Sequence, residues 1–468
     1  MEKLREAGYF ALRFVTMVKD VNMQYNNNFG STVPGFMGEA RVVGLDPSNY
    51  WNPGIAYVLG STESIVDDLL RNDLLSHDTL MNTPHWTNQN SVFNMTANLE
   101  PIREMKVTLN ATQNYTSREE FYYKYSSATD RVEGPLSYTM GGSYTTTTWS
   151  FRTMFRNSDD LFNEFLDNRT LVAARLASMN PDPYTDELVL DTMNGLYFPA
   201  GYSANQQSVL LTSFLATYLG DDPAKRNFSP FLRFPLPNWN ISYNGLGKLE
   251  VMKKWFTSIS ISHKYSSTYS VGNFYTDAAI SAAMDDYDYG METVLNNVGD
   301  YIAPVSMEGV QINEQFNPLI RLGVNMVNSF QLNLSIQKSR ILQLSFGNNQ
   351  LTESTREGVT FGGGYRIKDL EIKIKTAEKT YNLKSDLVLQ LNLTYNNNMT
   401  MIRKINQSGV SQVSNGSQVW MAEISAEYAV SNSITMRAFF QTNINKPHIT
   451  NSYPNSTTKG GITMRFSF

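Results

Sequence analysis

The chain has 468 residues, no cysteine, 17% charged residues and a net charge of -5. Lack of cysteine removes disulfides, thiolate catalysis and cysteine-liganded metals, and an acidic balance without a lysine or arginine run leaves no footprint for nucleic acid. No stretch reaches the ~18 consecutive apolar residues of a transmembrane helix. Any membrane crossing must therefore be made by strands.

Residues 1–18 join a basic start to a short apolar run, but Arg13 interrupts the run and no small-residue cleavage site follows. This is a poor signal peptide, so the chain is expected to be the C-terminal piece of a longer exported polypeptide. Pro34 to Pro53, rich in Gly, Pro, Asp and Asn, reads as loop. Ser64 to Leu75 places Ile65, Val66, Leu69, Leu70 and Leu74 at helical spacing. Phe93, Met95, Ala97 and Leu99 then alternate with polar residues, turn at Glu100-Pro101, and continue in Met105, Val107, Leu109 and Ala111. That is a hairpin.

Asp159 to Ala177 is helical by the spacing of Leu161, Phe162, Phe165, Leu166, Val172 and Leu176, and Ala204 to Leu219 is a further helix stopped by Gly220 with Pro223 beyond. From Thr257 to Val271 the odd positions include Ile259, Ile261, Tyr265, Tyr269 and Val271, against Ser258, Ser260, Ser262, Lys264, Ser266, Thr268 and Ser270. Tyr275 to Glu314 shows neither period and reads as loop. Leu322, Val324 and Met326 turn at Asn328-Ser329 into Phe330, Leu332, Leu334 and Ile336. Leu387 to Tyr395 alternates strictly, and Trp420 to Tyr428 turns at Ser431-Asn432 into Ile434 to Phe440. The last residues put Ile462, Met464, Phe466 and Phe468 on one face of a strand and Thr463, Arg465 and Ser467 on the other.

Several runs exceed the ~9 to 11 residues that a tilted strand needs to cross hydrocarbon. The expected fold is all-β, an antiparallel transmembrane barrel with roughly 12 to 14 strands in this chain. Helical and loop insertions at about 30–90, 155–235 and 275–315 would cover its mouth or rim. The terminal Ile462, Met464, Phe466 and Phe468 are the candidate signal for the barrel-assembly machinery, offered as an exposed strand edge.

Residues that could carry chemistry are few. The four histidines, His77, His85, His263 and His448, have no metal-ligand spacing among them, and His263, amid serines, shares a face with Ile261 and Tyr265 at a membrane interface. In Asp285 to Gly290, Tyr287 and Tyr289 fall where a calcium loop needs oxygen ligands. Gly362-Gly363-Gly364 lacks the lysine and helix of a phosphate loop and reads as a bulge or close packing. Glu353, Glu357, Arg340 and Arg356 read as lumen or rim charges paired with one another. No catalytic residue, metal or cofactor is expected.

Longer strings narrow the class. Asn317 to Arg366, together with FPLPNWNISYNGL at Phe234 to Leu246, DNRTLVAARL at Asp167 to Leu176 and HKYSSTYSVGNF at His263 to Phe274, closely resembles the C-terminal part of the SprA/Sov family. PGFMGEA at Pro34 to Ala40 and NPGIAYVLG at Asn52 to Gly60 fit as well. These are the giant outer-membrane translocons of type IX secretion in Bacteroidota. The resemblance implies the C-terminal portion of one very large barrel, near the upper limit of about 36 strands. It also implies an outer-membrane location, folded cargo with a C-terminal signal domain, a PorV-type shuttle protein, a periplasmic plug protein and support of gliding motility. The matching stretch includes Asn317, Pro318, Arg340, Glu353, Glu357, Gly362, Gly364 and Tyr365, to which the family assigns no catalytic role. An ordinary outer-membrane receptor or solute channel is the alternative, and a soluble β-rich adhesin a third reading.

Overall fold

The computed structural model describes residues 16–466, apart from 40, 50, 59–64, 194, 278–279, 281–293, 376–379, 407–410 and 432. Phe468 and the Asp285 to Gly290 run therefore lie outside the described residues.

Among the described residues, fourteen of sixteen strands form one antiparallel sheet. Its first members are β1 (Val18–Thr32), β2 (His85–Leu99), β3 (Met105–Ser126) and β4 (Arg131–Thr147). A separate hairpin follows, β5 (Leu188–Asp191) with β6 (Leu196–Pro199). The sheet resumes with β7 (Asn238–Tyr243), β8 (Phe256–Tyr275), the short β9 (Ser306–Met307), β10 (Gly309–Met326) and β11 (Phe330–Ser345). It ends with β12 (Gln350–Lys375), β13 (Thr380–Lys404), β14 (Ser411–Ser431), β15 (Ile434–Pro447) and β16 (Asn455–Phe466). The neighbour order is β1-β2-β3-β4-β8 and then β10 through β16, with no pairing between β1 and β16 among the described residues.

The hairpins read from alternation are present: Leu99 faces Val107, Leu322 faces Leu334, and Tyr428 faces Met436. The meander is broken at one place. β4 and β7 share a single position in the sheet, because β3 pairs β7 through Met105–Asn110 and β4 from Gln113 onward, while β8 pairs β7 through Ile261–Tyr265 and β4 from Thr268 onward. Residues 148–237 leave and re-enter through this split strand, sealed where Leu236 N donates to Thr147 O and Trp149 Nε1 to Pro237 O at 2.7 Å. The insertion is thus wider than the expected 155–235. The stretch read as loop to Glu314 also ends earlier, since β10 begins at Gly309.

Two helices fill the insertion, α1 (Ser158–Met179) and α2 (Gln207–Leu219). Asn157 caps α1, its Oδ1 accepting from Asp159 N and Asp160 N, which satisfies two of the orphan donors of the first turn. α2 is buried on every side from Ser208 to Leu219, as expected of a helix held between a sheet and a second helix. Gly220 ends it at φ +75°, with Asp221 N donating to Ala216 O at 2.8 Å. A left-handed residue there is what makes glycine the stop signal. Leu161, Phe162, Phe165, Leu210, Phe214 and Tyr218 pack on Tyr144, Tyr269, Val310, Ile312, Leu342 and Leu344 of the wall. The shorter helix read at Ser64 to Leu75 spans Val66–Arg71.

Phe214 is fully buried at the centre of this contact. Truncation to Ala is expected to cost about 3–5 kcal/mol and to expose residues 148–237 to limited proteolysis while the strands stay protected; unchanged proteolysis would contradict the packing.

Candidate functional site

Directly opposed residues of an antiparallel pair lie on one face, so the register maps each face across the whole sheet. One face carries an apolar belt. It runs through Met23, Met95, Leu109, Ile241, Ile261, Leu322, Leu334, Phe361, Leu393 and Ala422, and ends in Ala438 and Ile462 of the last two strands. Trp420, Ala422, Ile424, Ala426 and Tyr428 show its height, eight residue steps or about 26 Å of strand at ~3.3 Å each. Aromatic rings mark both margins: Tyr395 with Trp420 at 4.6 Å and Trp239 stacked on Tyr265 at 4.5 Å on one side, Phe330 with Tyr365 at 6.2 Å on the other. The belt side chains are open, with Ile424 58%, Phe440 53% and Met464 56% exposed.

The opposite face is polar and mostly neutral. Asn22, Asn94, Asn98, Asn110, Asn333, Asn392, Asn396 and Thr400 recur there with serines and glutamines. Cross-strand bonds such as Thr96 to Asn110 at 3.0 Å, Thr108 to Asn98 at 2.9 Å and Ser354 with Thr400 at 3.0 Å order it.

The insertion packs on the belt face, not over an end of the strands. Above the belt that face continues through Lys338, Arg340, Leu342 and Leu344 of β11 and Glu357, Glu353 and Leu351 of β12. The helices cover all of these except the Lys338–Glu357 ion pair at 2.7 Å, which sits at the margin. Beneath the helices lie two buried ion pairs. Arg340 Nη2 meets Glu314 Oε2 at 2.8 Å, and both side chains are buried. Tyr265 donates to the other oxygen of Glu314 at 2.9 Å, and Arg340 also reaches Thr153 of the insertion at 2.8 and 3.2 Å. Thr153 in turn donates to Tyr218 O at the end of α2.

The second pair fastens the start of α1. Arg403 Nη1 bonds Asp159 at 2.7 Å and its Nη2 bonds Ser158 Oγ at 2.7 Å, while Ser158 Oγ donates to Glu353. Arg403 Nε stands 3.4 Å from Glu353 without donating in line. Two carboxylates beside the N-terminus of α1 also match the positive end of its dipole.

The sequence-named residues thus separate into several environments. Arg340 and Glu353 are not each other's partners and do not face the polar side. Arg340 bonds Glu314, and Glu353 forms an ion pair with Arg403 and accepts from Ser158; Arg356 alone of the group lies on the polar face, opposite Ser339 and Asn398. Glu357 is at the belt margin. Asn317 and Pro318 fall where β10 carries two extra residues between Phe316 and Ile320, and their peptide bond is cis. Gly362-Gly363-Gly364 is not a bulge, since both neighbouring registers run through it unbroken; Gly362 and Gly364 lie on the polar face and Gly363 in the belt between Leu332 and Leu391. Tyr365 closes the belt. Ile462, Met464 and Phe466 are exposed belt residues on the edge strand β16. His263 Nδ1 donates to Leu319 O at 2.5 Å, beside Trp239.

Among the described residues no group of three His, Cys, Asp or Glu could hold a metal, and no helix is long and apolar enough to cross a membrane. No protein-family model matches the chain, and no curated protein matches it.

Replacing Glu314 with Ala leaves the Arg340 cation buried and unpaired, a cost of about 3–5 kcal/mol. The double change Glu314→Leu with Arg340→Met removes both charges and is expected to restore most of that loss, read from the protease resistance of residues 148–237. Equal damage from the single and double variants would refute the pair's role.

Proposed function

We propose that this chain is part of the wall of an outer-membrane β-barrel that conducts proteins, a translocon of the type IX class. The observation that carries the membrane reading is the belt: one apolar band traced through twelve of the sheet's strands, about 26 Å of strand high, with aromatic margins and a polar reverse face. Such a band cannot stay in water without association. A receptor or solute channel would share it.

Protein conduction is favoured over those by two further features. The strings from Asn317 to Arg366 and from Phe234 to Leu246 resemble the translocon family. The sheet also reaches fourteen strands without β1 meeting β16 among the described residues, as suits a segment of a wider wall. On this reading the belt faces lipid and the Asn, Ser and Thr face lines a wide aqueous lumen. The helical insertion then sits on the outside of the wall above the outer leaflet, and β16 is the edge presented to the assembly machinery. A shuttle barrel, a plug protein and cargo with C-terminal signal domains are the implied partners.

Depleting the protein in its own cell should hold folded cargo with such a signal domain in the periplasm and strip it from the surface. Normal surface delivery combined with lost uptake of a small solute would instead establish the receptor or channel reading.

A further inference from the structure

The insertion carries a surface that the wall does not use. β5 and β6 form a two-stranded hairpin with no other strand beside it among the described residues. Leu188, Val189, Leu190 and Tyr197 are 66%, 53%, 45% and 61% exposed, and Phe198 is the hairpin's anchor in the core of α1, α2 and Tyr301. An isolated hairpin of this kind does not bury its own apolar surface, and each strand keeps an open edge that can pair with another chain. Beside it opens a cavity of about 310 Å³ lined by Asp191, Ser203, Asn205 and Asp300.

The cavity's charged groups, Asp191 and Asp300, are both acceptors. The Asp300 carboxylate receives Ser203 N at 3.0 Å and Ser203 Oγ at 2.7 Å, and burial raises its pKa above the ordinary carboxylate value. Buried Asn205 Oδ1 has no hydrogen-bond partner. The nearby cation, Arg169, is buried and donates to the carbonyls of Leu166 and Ala204. The opening therefore suits a positive side chain, whose attraction to Asp300 would also return that carboxyl to its charged form.

On the membrane reading proposed above, position in the fold sets lipid aside as the occupant. The C-terminal end of α2 meets Thr153 and Arg340, near the belt, whereas Gln207 at its other end bonds Val305 and Met307, at the far end of β8. Thirteen helical residues, about 20 Å, separate the two ends. The hairpin lies at the end distant from the belt. We infer that the β5–β6 hairpin and the adjoining cavity form a docking site for an extended segment of a protein partner, pairing along a hairpin edge and placing a lysine or arginine, flanked by apolar residues, against Asp300. β-Strand addition supplies backbone affinity and the pocket supplies selectivity.

The test uses the purified full-length protein in detergent and a fluorescein-labelled peptide of alternating Val and Thr with one central Lys, read by fluorescence anisotropy. Saturable binding is expected, weakened roughly tenfold or more by Lys→Glu in the peptide, by Asp300→Asn and by Tyr197→Ser. Tyr197 is exposed, so its truncation leaves folding intact. Absence of saturable binding, indifference to the charge of the peptide, or full binding by Tyr197→Ser would overturn the site. Tight association of the hairpin with phospholipid vesicles, abolished by Tyr197→Ser, would do the same.

Discussion

A sheet of fourteen strands with one apolar face has to cover that face along its whole width, and this protein does so in two ways on the same surface. Toward one end of the strands the cover is protein: α1 and α2 lie across Tyr144, Tyr269, Ile312 and Leu342. Toward the other end Ile424, Phe440, Met464 and their neighbours have no protein cover among the described residues. Apolar burial near 25 cal/mol per Å² makes an uncovered band of this length untenable in water. The band defines what has to cover this face: a packed insertion at one level and, on the proposed reading, a lipid layer at the other.

The junction between the two levels is where charge enters the apolar register. Lys338 and Glu357 pair at the open margin, and one step further Arg340, Glu314, Glu353 and Arg403 are enclosed by the helices. Buried ion pairs are weak contributors to net stability but specify arrangement, since breaking one leaves a costly unpaired charge. Here both reach across to the insertion, Arg340 to Thr153 and Arg403 to Asp159 and Ser158. They fix where the end of α2 and the start of α1 sit on the wall. The split strand of β4 and β7 gives the insertion its exit at that same height, with Trp149 bonded to Pro237.

The belt was legible because period two is a direct image of a two-faced strand: Leu387 to Tyr395 and Trp420 to Tyr428 are read on the face they occupy. The helices at Asp159 and Ala204 were legible through apolar spacing and the Gly220 stop. What escaped depends on contacts far apart in sequence. Gly309 to Glu314 read as loop because glycine and polar residues punctuate it, yet its alternation of Val310, Ile312 and Glu314 is the start of β10. Glu314, Arg340, Glu353 and Arg403 each stand at an apolar parity position, and that misfit was the available signal for a covered charge cluster. Their pairing could not be read, because the register between β10, β11, β12 and β13 sets it. The β5–β6 hairpin was announced by Asn194-Gly195 between two short apolar runs, but nothing local says that its side chains stay exposed.

On the proposed reading the belt face meets lipid and its reverse face meets water. A spin label carried in turn at each position from Val419 to Tyr428, in the native membrane, tests it most directly. Accessibility to oxygen should peak at Trp420, Ala422, Ile424, Ala426 and Tyr428, and accessibility to a water-soluble nickel chelate at the positions between. Uniform access to the chelate along the strand, without a period of two, would contradict the account.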